Sequence, residues 1–218
     1  MVTSGDPIVV VCALEIERRA LVGLERPGVE IHVSGMGAEA AAALGERLTE
    51  RPLRAMIATG FCGALVPRLG AGDVVVADRV VHENTGDAFP ADALMLAAAD
   101  GRRGTLVSAT DVARTPADRA ALHGLAVDLE SAALARAARD ADVPFIAIRA
   151  VTDRFRDRIP DIIGMLDHLG RPDRSALMAF ALRHPREIPR LLRLGRSARR
   201  AGDALTDAVG TLLTRLGV

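Results

Sequence analysis

Phe145-Ile146-Ala147-Ile148-Arg149-Ala150-Val151 reads as a β-strand, because β-branched and small apolar residues dominate it. The run is continuous rather than alternating, which marks a strand covered on both faces, as in a parallel sheet. Outward from it, Ile8–Ala13, Glu30–Val33, Ala55–Thr59, Val74–Val81 and Thr105–Val107 read as further strands, several of the same unbroken kind. Between them, Glu15–Leu24, Ala38–Glu50 and Glu130–Asp140 are helical by length and by their Ala, Leu, Arg and Glu content. This alternation predicts an α/β domain with a largely parallel central sheet and helices on both faces. From about Asp161 the pattern is helix only. Ile162–Leu169, Ser175–Leu182 and Ile188–Leu213 are joined by Gly170-Arg171-Pro172 and Arg183-His184-Pro185. Residues 1–182 are therefore expected to form one domain, with 183–218 a basic amphipathic helical extension of it.

The composition narrows the function. The 218 residues carry 28 cations, all arginine, against 28 acids, and tyrosine and tryptophan are absent. A neutral chain has no global attraction to phosphate, and single-strand binders stack bases on aromatic rings. Nucleic acid is therefore not an expected partner. Without lysine there is no Schiff-base or Walker-type chemistry. Cys12 and Cys62 cannot form a disulfide framework or a zinc site by themselves, and the five histidines show no metal-ligand spacing. No metal and no cofactor are expected. No apolar run approaches a membrane span, and Ile8–Leu14 is too short for a secretory signal, so the expected location is cytoplasmic.

In open α/β sheets ligands sit beyond the carboxyl ends of strands. The segment Val33-Ser34-Gly35-Met36-Gly37-Ala38-Glu39-Ala40 imitates a dinucleotide fingerprint there. Its confirming acidic residue is missing, since the next strand ends in Ala58-Thr59-Gly60; a tight strand-to-helix turn explains the glycines equally well. Three carboxylates fall in the right places: Glu17 after the first strand, Glu130 after Val127-Asp128-Leu129, and Asp153 after Ile148–Thr152. Each also has a plain structural reading. Glu17 and Glu130 suit the first turns of helices, and Asp153 could pair with Arg154 or Arg156 at the surface.

Taken together, several segments resemble the nucleoside phosphorylase superfamily in order and spacing. They are Ala13–Glu17, Ser34–Gly37, Thr59–Leu65 with Gly72–Val76, Val127–Ala133 and Arg149–Asp153. The methylthioadenosine/S-adenosylhomocysteine nucleosidases are the most similar subgroup. The resemblance implies a three-layer fold with a mixed, largely parallel sheet, and cleavage of a purine N-glycosidic bond. It implies that Asp153 is the acid that protonates the leaving purine and Glu17 the base that activates water. Glu130 would hold the ribose hydroxyls, with Leu129 beneath the sugar and Val112 against the purine. Phe61, Gly63 and Ser108 complete the implied substrate contacts, and a homodimer is the family's expectation.

Three departures refine that expectation. Phosphorylases of the superfamily usually carry an arginine and a serine where this chain has Ala58 and Phe61, which favours water over phosphate as nucleophile. Arg18, Arg19 or Arg114 would have to rebuild an anion site for phosphorolysis. Only 22 residues separate His82 from Thr105, which implies a more open 5′ side and a bulky 5′ substituent. The C-terminal segment crowds Arg183, Arg186, Arg190, Arg193, Arg196, Arg199 and Arg200 against the single acid Glu187. Such a helix either packs on protein or lies on anionic lipid through residues 183–200, peripheral at the inner membrane face. This tail resembles the hopanoid-associated phosphorylase branch, which implies phosphorolysis of a lipid-linked nucleoside, adenosylhopane, as the alternative. A catalytically silent nucleoside-binding protein is the remaining one, favoured by Val112 and Phe61.

Overall fold

A computed structural model describes residues 5–159, 165, 167, 169, 171 and 173–218. Eight strands form one sheet: β1 (Ile8–Cys12), β2 (Val29–Val33), β3 (Ala55–Ala64), β4 (Val74–His82), β5 (Ala88–Pro90), β6 (Arg102–Ser108), β7 (Ala126–Asp128) and β8 (Phe145–Asp153). Along the sheet the order is β2-β1-β3-β7-β6-β4-β5, and β8 pairs with both β3 and β4. Most pairings are parallel; β3–β7, β4–β8 and β4–β5 are antiparallel. The sheet is thus mixed and largely parallel, and β3, β8, β4, β6 and β7 close on one another in a ring.

The ring depends on β3 being long. Along one side β8 pairs with it from Met56 to Gly63; on the other, its first residues pair with β1 and its last, Gly63 and Ala64, with Val127 and Ala126 of β7. A bulge at Cys62/Gly63 bends the strand where it changes partner. The sequence places the end of this strand at Thr59, because glycines read as punctuation. The structure corrects that: residues 60–64 are the second half of β3.

Helices cover both faces. Val9 and Val11 of β1 point to one core, shared with α2 (Ala38–Thr49) and α5 (Ser131–Asp140); Ile8, Val10 and Cys12 point to the other. That second core takes Leu21 of α1 (Glu15–Leu21), Met95 of α3 (Ala93–Ala98) and the far half of α7 (Ile188–Arg215). Within α7, Ala201, Leu205, Val209, Leu212 and Leu213 are fully buried, whereas the half before residue 200 is mostly exposed. The Thr206 hydroxyl donates to the Ala20 carbonyl at 2.7 Å, tying α7 to α1.

The described residues include two further short helices, α4 (Pro116–Ala120) and α6 (Arg174–Arg183). The segment between β4 and β6, short as it is, holds β5 and α3, the latter capped by the Asp92 carboxylate. The helix expected over Ile162–Leu169 lies outside the described residues, apart from 165, 167 and 169. Among the described residues, no helix is long and apolar enough to cross a membrane.

Candidate active site

Strands β3 and β8 run parallel and in register, with Gly60 beside Arg149 and Phe61 beside Ala150. This sets the polar residues of both carboxyl ends side by side. Arg149 stands in the otherwise apolar run from Phe145 to Val151 of β8 and is 1% exposed. A buried guanidinium must be paired, and it is: its Nη1 donates to the Thr59 carbonyl at 2.8 Å, and its Nη2 to the Ser131 hydroxyl at 2.9 Å. The same nitrogen forms an ion pair with Asp128 at 2.6 Å. Asp128 closes β7 and Ser131 opens α5, so one arginine gathers three elements.

Glu17 and Glu130 lie in the field of that arginine. Glu17 is on α1 and 2% exposed. Its Oε2 accepts from the Ala13 and Leu14 amides at 2.9 and 2.8 Å, and its Oε1 from the Phe61 amide at 2.7 Å. The first-turn reading is therefore half of its role; the other half reaches across to β3. Burial raises its pKa, while Arg149 and the three amides pull it back. Glu130 is the N-cap residue of α5 and accepts from the Gly37 amide at 2.9 Å. Burial pushes its pKa from 4.5 to about 7, opposed by Arg149 and reinforced by Asp128. Gly60 leaves the space these groups fill: it sits at φ +138°, and a Cβ on it would stand 2.5 Å from Arg149 and 2.7 Å from Glu17.

Asp153 ends β8, 8% exposed. The surface pairing with Arg154 or Arg156 is not what the structure shows. Its partner is Arg119 of α4, fully buried, whose Nη2 donates to Asp153 Oδ2. Thr152 Oγ1 lies 2.8 Å from the other oxygen, Oδ1. Burial raises the Asp153 pKa and Arg119 lowers it. Gly63 backs this pair, since a Cβ there would come within 2.8 Å of Oδ2.

Of two cavities in this part of the molecule, one is lined by Asp153, and the other is lined by none of the three carboxylates. One, of about 310 Å³, is lined by Thr152, Asp153, the segment from Arg156 to Ile159, and Arg190, Arg193, Leu194 and Ser197 of α7. The other, of about 630 Å³, runs between α2 and α5 and reaches Ser108, Leu129 and His82. Ser108 ends β6, and its hydroxyl accepts from the Ala132 amide at 3.1 Å. Val112 is half-buried in the loop leading from β6 to α4. Phe61 contributes its amide to Glu17, while Ala58 is wholly buried inside β3 and cannot face a ligand. Arg18 is paired with Glu15 at 3.0 Å.

Four polar residues of this region carry no role in the sequence reading: Arg149, Asp128, Ser131 and Arg119. Arg149 had a signal, as the lone charge inside a run of buried strand residues. Arg119 had none, since Pro-Ala-Asp-Arg-Ala looks like any surface helix.

Comparison with known proteins agrees with this architecture. A family model described as the phosphorylase superfamily matches residues 19–168. Two 5′-methylthioadenosine/S-adenosylhomocysteine nucleosidases, from Mycobacterium bovis and Mycobacterium tuberculosis, are 26% identical over 181 residues, covering 60% of this chain and 71% of theirs. The S-adenosylhomocysteine nucleosidase of Streptococcus pyogenes, solved with 5-methylthiotubericidin, superposes with TM-score 0.72 at 21% identity over 99% of both chains. The futalosine hydrolase of Helicobacter pylori superposes with TM-score 0.72 at 12% identity, over 96% of this chain and 98% of its own. The family match covers more than half of the chain and includes Glu130 and Asp153, starting two residues after Glu17, and on it the chain belongs to the phosphorylase superfamily.

Proposed function

We propose that the protein cleaves the N-glycosidic bond of a 5′-substituted adenosine-type nucleoside by hydrolysis. The observation that carries this is the set of three buried carboxylates, Glu17, Glu130 and Asp153, at strand and helix ends on this fold. Departure of a purine from C1′ leaves an oxocarbenium-like sugar, so the leaving base needs a proton and the sugar needs negative charge nearby. Asp153, raised in pKa by burial, gives its proton to the purine as the C1′–N9 electron pair moves onto the base. Glu130 holds the ribose hydroxyls beside the developing cation. Glu17, oriented by three amides, takes a proton from water as the water oxygen bonds to C1′. The products are adenine and a free sugar.

Hydrolysis is preferred to phosphorolysis because the position of a phosphate-binding arginine is Ala58, inside the core. Incubation with methylthioadenosine, S-adenosylhomocysteine and a lipid-linked adenosine, with and without phosphate, tests the reading. Adenine and free sugar without phosphate are expected. A sugar phosphate would make the enzyme a phosphorylase, and no adenine from any of the three would make it a binding protein.

The proposal extends to two partners. One is a second copy of the chain, checked by sedimentation. The other is an anionic membrane surface, met by α6 and the exposed half of α7. Met178, Leu182, Ile188 and Leu192 are four of the seven large apolar side chains exposed among the described residues. They stand among Arg183, Arg186, Arg190, Arg193, Arg196 and Arg199, a pattern suited to the headgroup region.

A further inference from the structure

We infer that Arg119 is a positioning residue that divides the labour between the two oxygens of Asp153, confining the catalytic proton to Oδ1. The inference rests on the proposed role of Asp153 as the acid. A guanidinium has only donors and stays charged, so the oxygen it holds can only accept. Arg119 Nη2 holds Oδ2. Its Nη1 donates to the carbonyls of Arg154, Phe155 at 3.3 Å and Asp157 at 2.9 Å. One buried side chain thus fixes the carboxyl plane and winds the segment after β8 around itself.

Oδ1 is left with a partner that serves both protonation states. Thr152 Oγ1 lies 2.8 Å from Oδ1 and 3.4 Å from the Cys62 carbonyl. When Asp153 is ionised, the hydroxyl donates to Oδ1. When Oδ1 carries a proton, the hydroxyl accepts it or stands aside, turning its own hydrogen to Cys62. Proton transfer to a purine therefore strands neither Oδ1 nor the Thr152 hydroxyl. Gly63 keeps the far side of Oδ2 clear, so nothing there competes with the guanidinium.

The charged groups around Asp153 are Arg119 from α4, Asp157 from the segment it organises, and Arg156, Arg158, Arg190 and Arg193 lining the adjoining cavity; the Cys62 thiol of β3, its pKa pushed up by burial, is a titratable but neutral neighbour. Among these charged groups of the described residues, Arg119 is the one hydrogen-bonded to the carboxyl, so its removal changes the acid most.

The test is the pH dependence of kcat/KM for purine release from methylthioadenosine, or whichever nucleoside the wild type cleaves. A general acid is active when protonated, so the rate falls as pH rises through its pKa. Arg119→Met should move that alkaline limb up by about one pH unit, because a cation favouring the carboxylate is gone. It should also lower kcat roughly tenfold with KM little changed, because the aim is lost. Arg119→Lys should keep the limb near the wild-type position. Should Arg119→Met not fold, Thr152→Val and Thr152→Ser give the answer. The first should lower kcat several-fold and the second restore it. An unmoved limb in Arg119→Met, or a wild-type kcat in Thr152→Val, overturns the role of Arg119 while leaving the reading of the site intact. No purine from the wild type with any of the three nucleosides overturns both.

Discussion

Asparagine at position 153 keeps the shape of the carboxyl group and removes the proton it would give. Asp153→Asn should bind a purine nucleoside nearly as well as the wild type and turn it over roughly a hundredfold more slowly, measured by calorimetry and adenine release. Wild-type turnover would sink the assignment. Gly63→Ala approaches the same atom from behind. Its Cβ would stand 2.8 Å from Oδ2 and 3.3 Å from Val127, so the carboxyl must move. A shift of that kind should cost roughly tenfold to a hundredfold in kcat, with the fold retained by circular dichroism. Glu130 makes a prediction about stability. Its pKa is raised to about 7 in the folded chain, so the native state holds a proton that the unfolded state releases. That contribution is full below the ordinary carboxylate range and is lost as pH rises through about 7. The Tm of Glu130→Gln should therefore fall less than that of the wild type between about pH 5 and about pH 8. Parallel curves would show that the carboxyl is not strained by burial. At this scale the sequence made the carboxylates legible and their arginines much less so. A carboxylate after a strand can be read from order alone. What holds it comes from elements 34 to 93 positions away, as in the Arg119–Asp153, Phe61–Glu17 and Gly37–Glu130 contacts.

Helix α7 has two halves with different physics. Its second half repeats buried side chains at Ala201, Leu205, Ala208, Val209 and Leu212, a helical stripe laid on β8 and β3. Leu205 is fully buried, and Leu205→Ala should cost about 2–5 kcal/mol by chemical denaturation. A chain ended at Leu182 would lose that whole stripe and should not fold, so the extension cannot be studied by cutting it off. Substitutions on the exposed half are the better probe. Strands with unbroken apolar runs and helices of ten residues or more were legible from pattern alone. The elements missed are those too short to show a period: β5 and β7 with three residues each, α4 with five and α3 with six. Tertiary pairing, rather than local preference, makes them. The error in β3 has a sharper cause. The sequence reading leaves Gly60 and Gly63 past the strand end, yet they are strand residues made small so that Glu17, Arg149 and Asp153 can crowd against the backbone.

Over the whole molecule the zero net charge is a cancellation. Residues 1–182 hold 20 arginines and 25 acids, and residues 183–218 hold 8 arginines and 3 acids. If the basic part meets anionic lipid, the protein should sediment with phosphatidylglycerol vesicles at low salt and not with phosphatidylcholine vesicles. Binding should vanish near 1 M salt, where screening acts within about 3 Å, and in a Leu182→Asp/Leu192→Asp variant. Failure to bind anionic vesicles at low salt would remove the membrane from the proposal. The closed ring of β3, β8, β4, β6 and β7 has a separate consequence for motion. A strand hydrogen-bonded on both sides cannot fray from an edge, and the sheet ends instead at β2 and the short β5. Amide hydrogen exchange should therefore be slowest in the stretches paired on both sides, residues 56–58 of β3 and 148–150 of β8, close to the rate of global unfolding. Arg149 and Asp153 both belong to β8, so the chemistry hangs from the most slowly opening part of the chain.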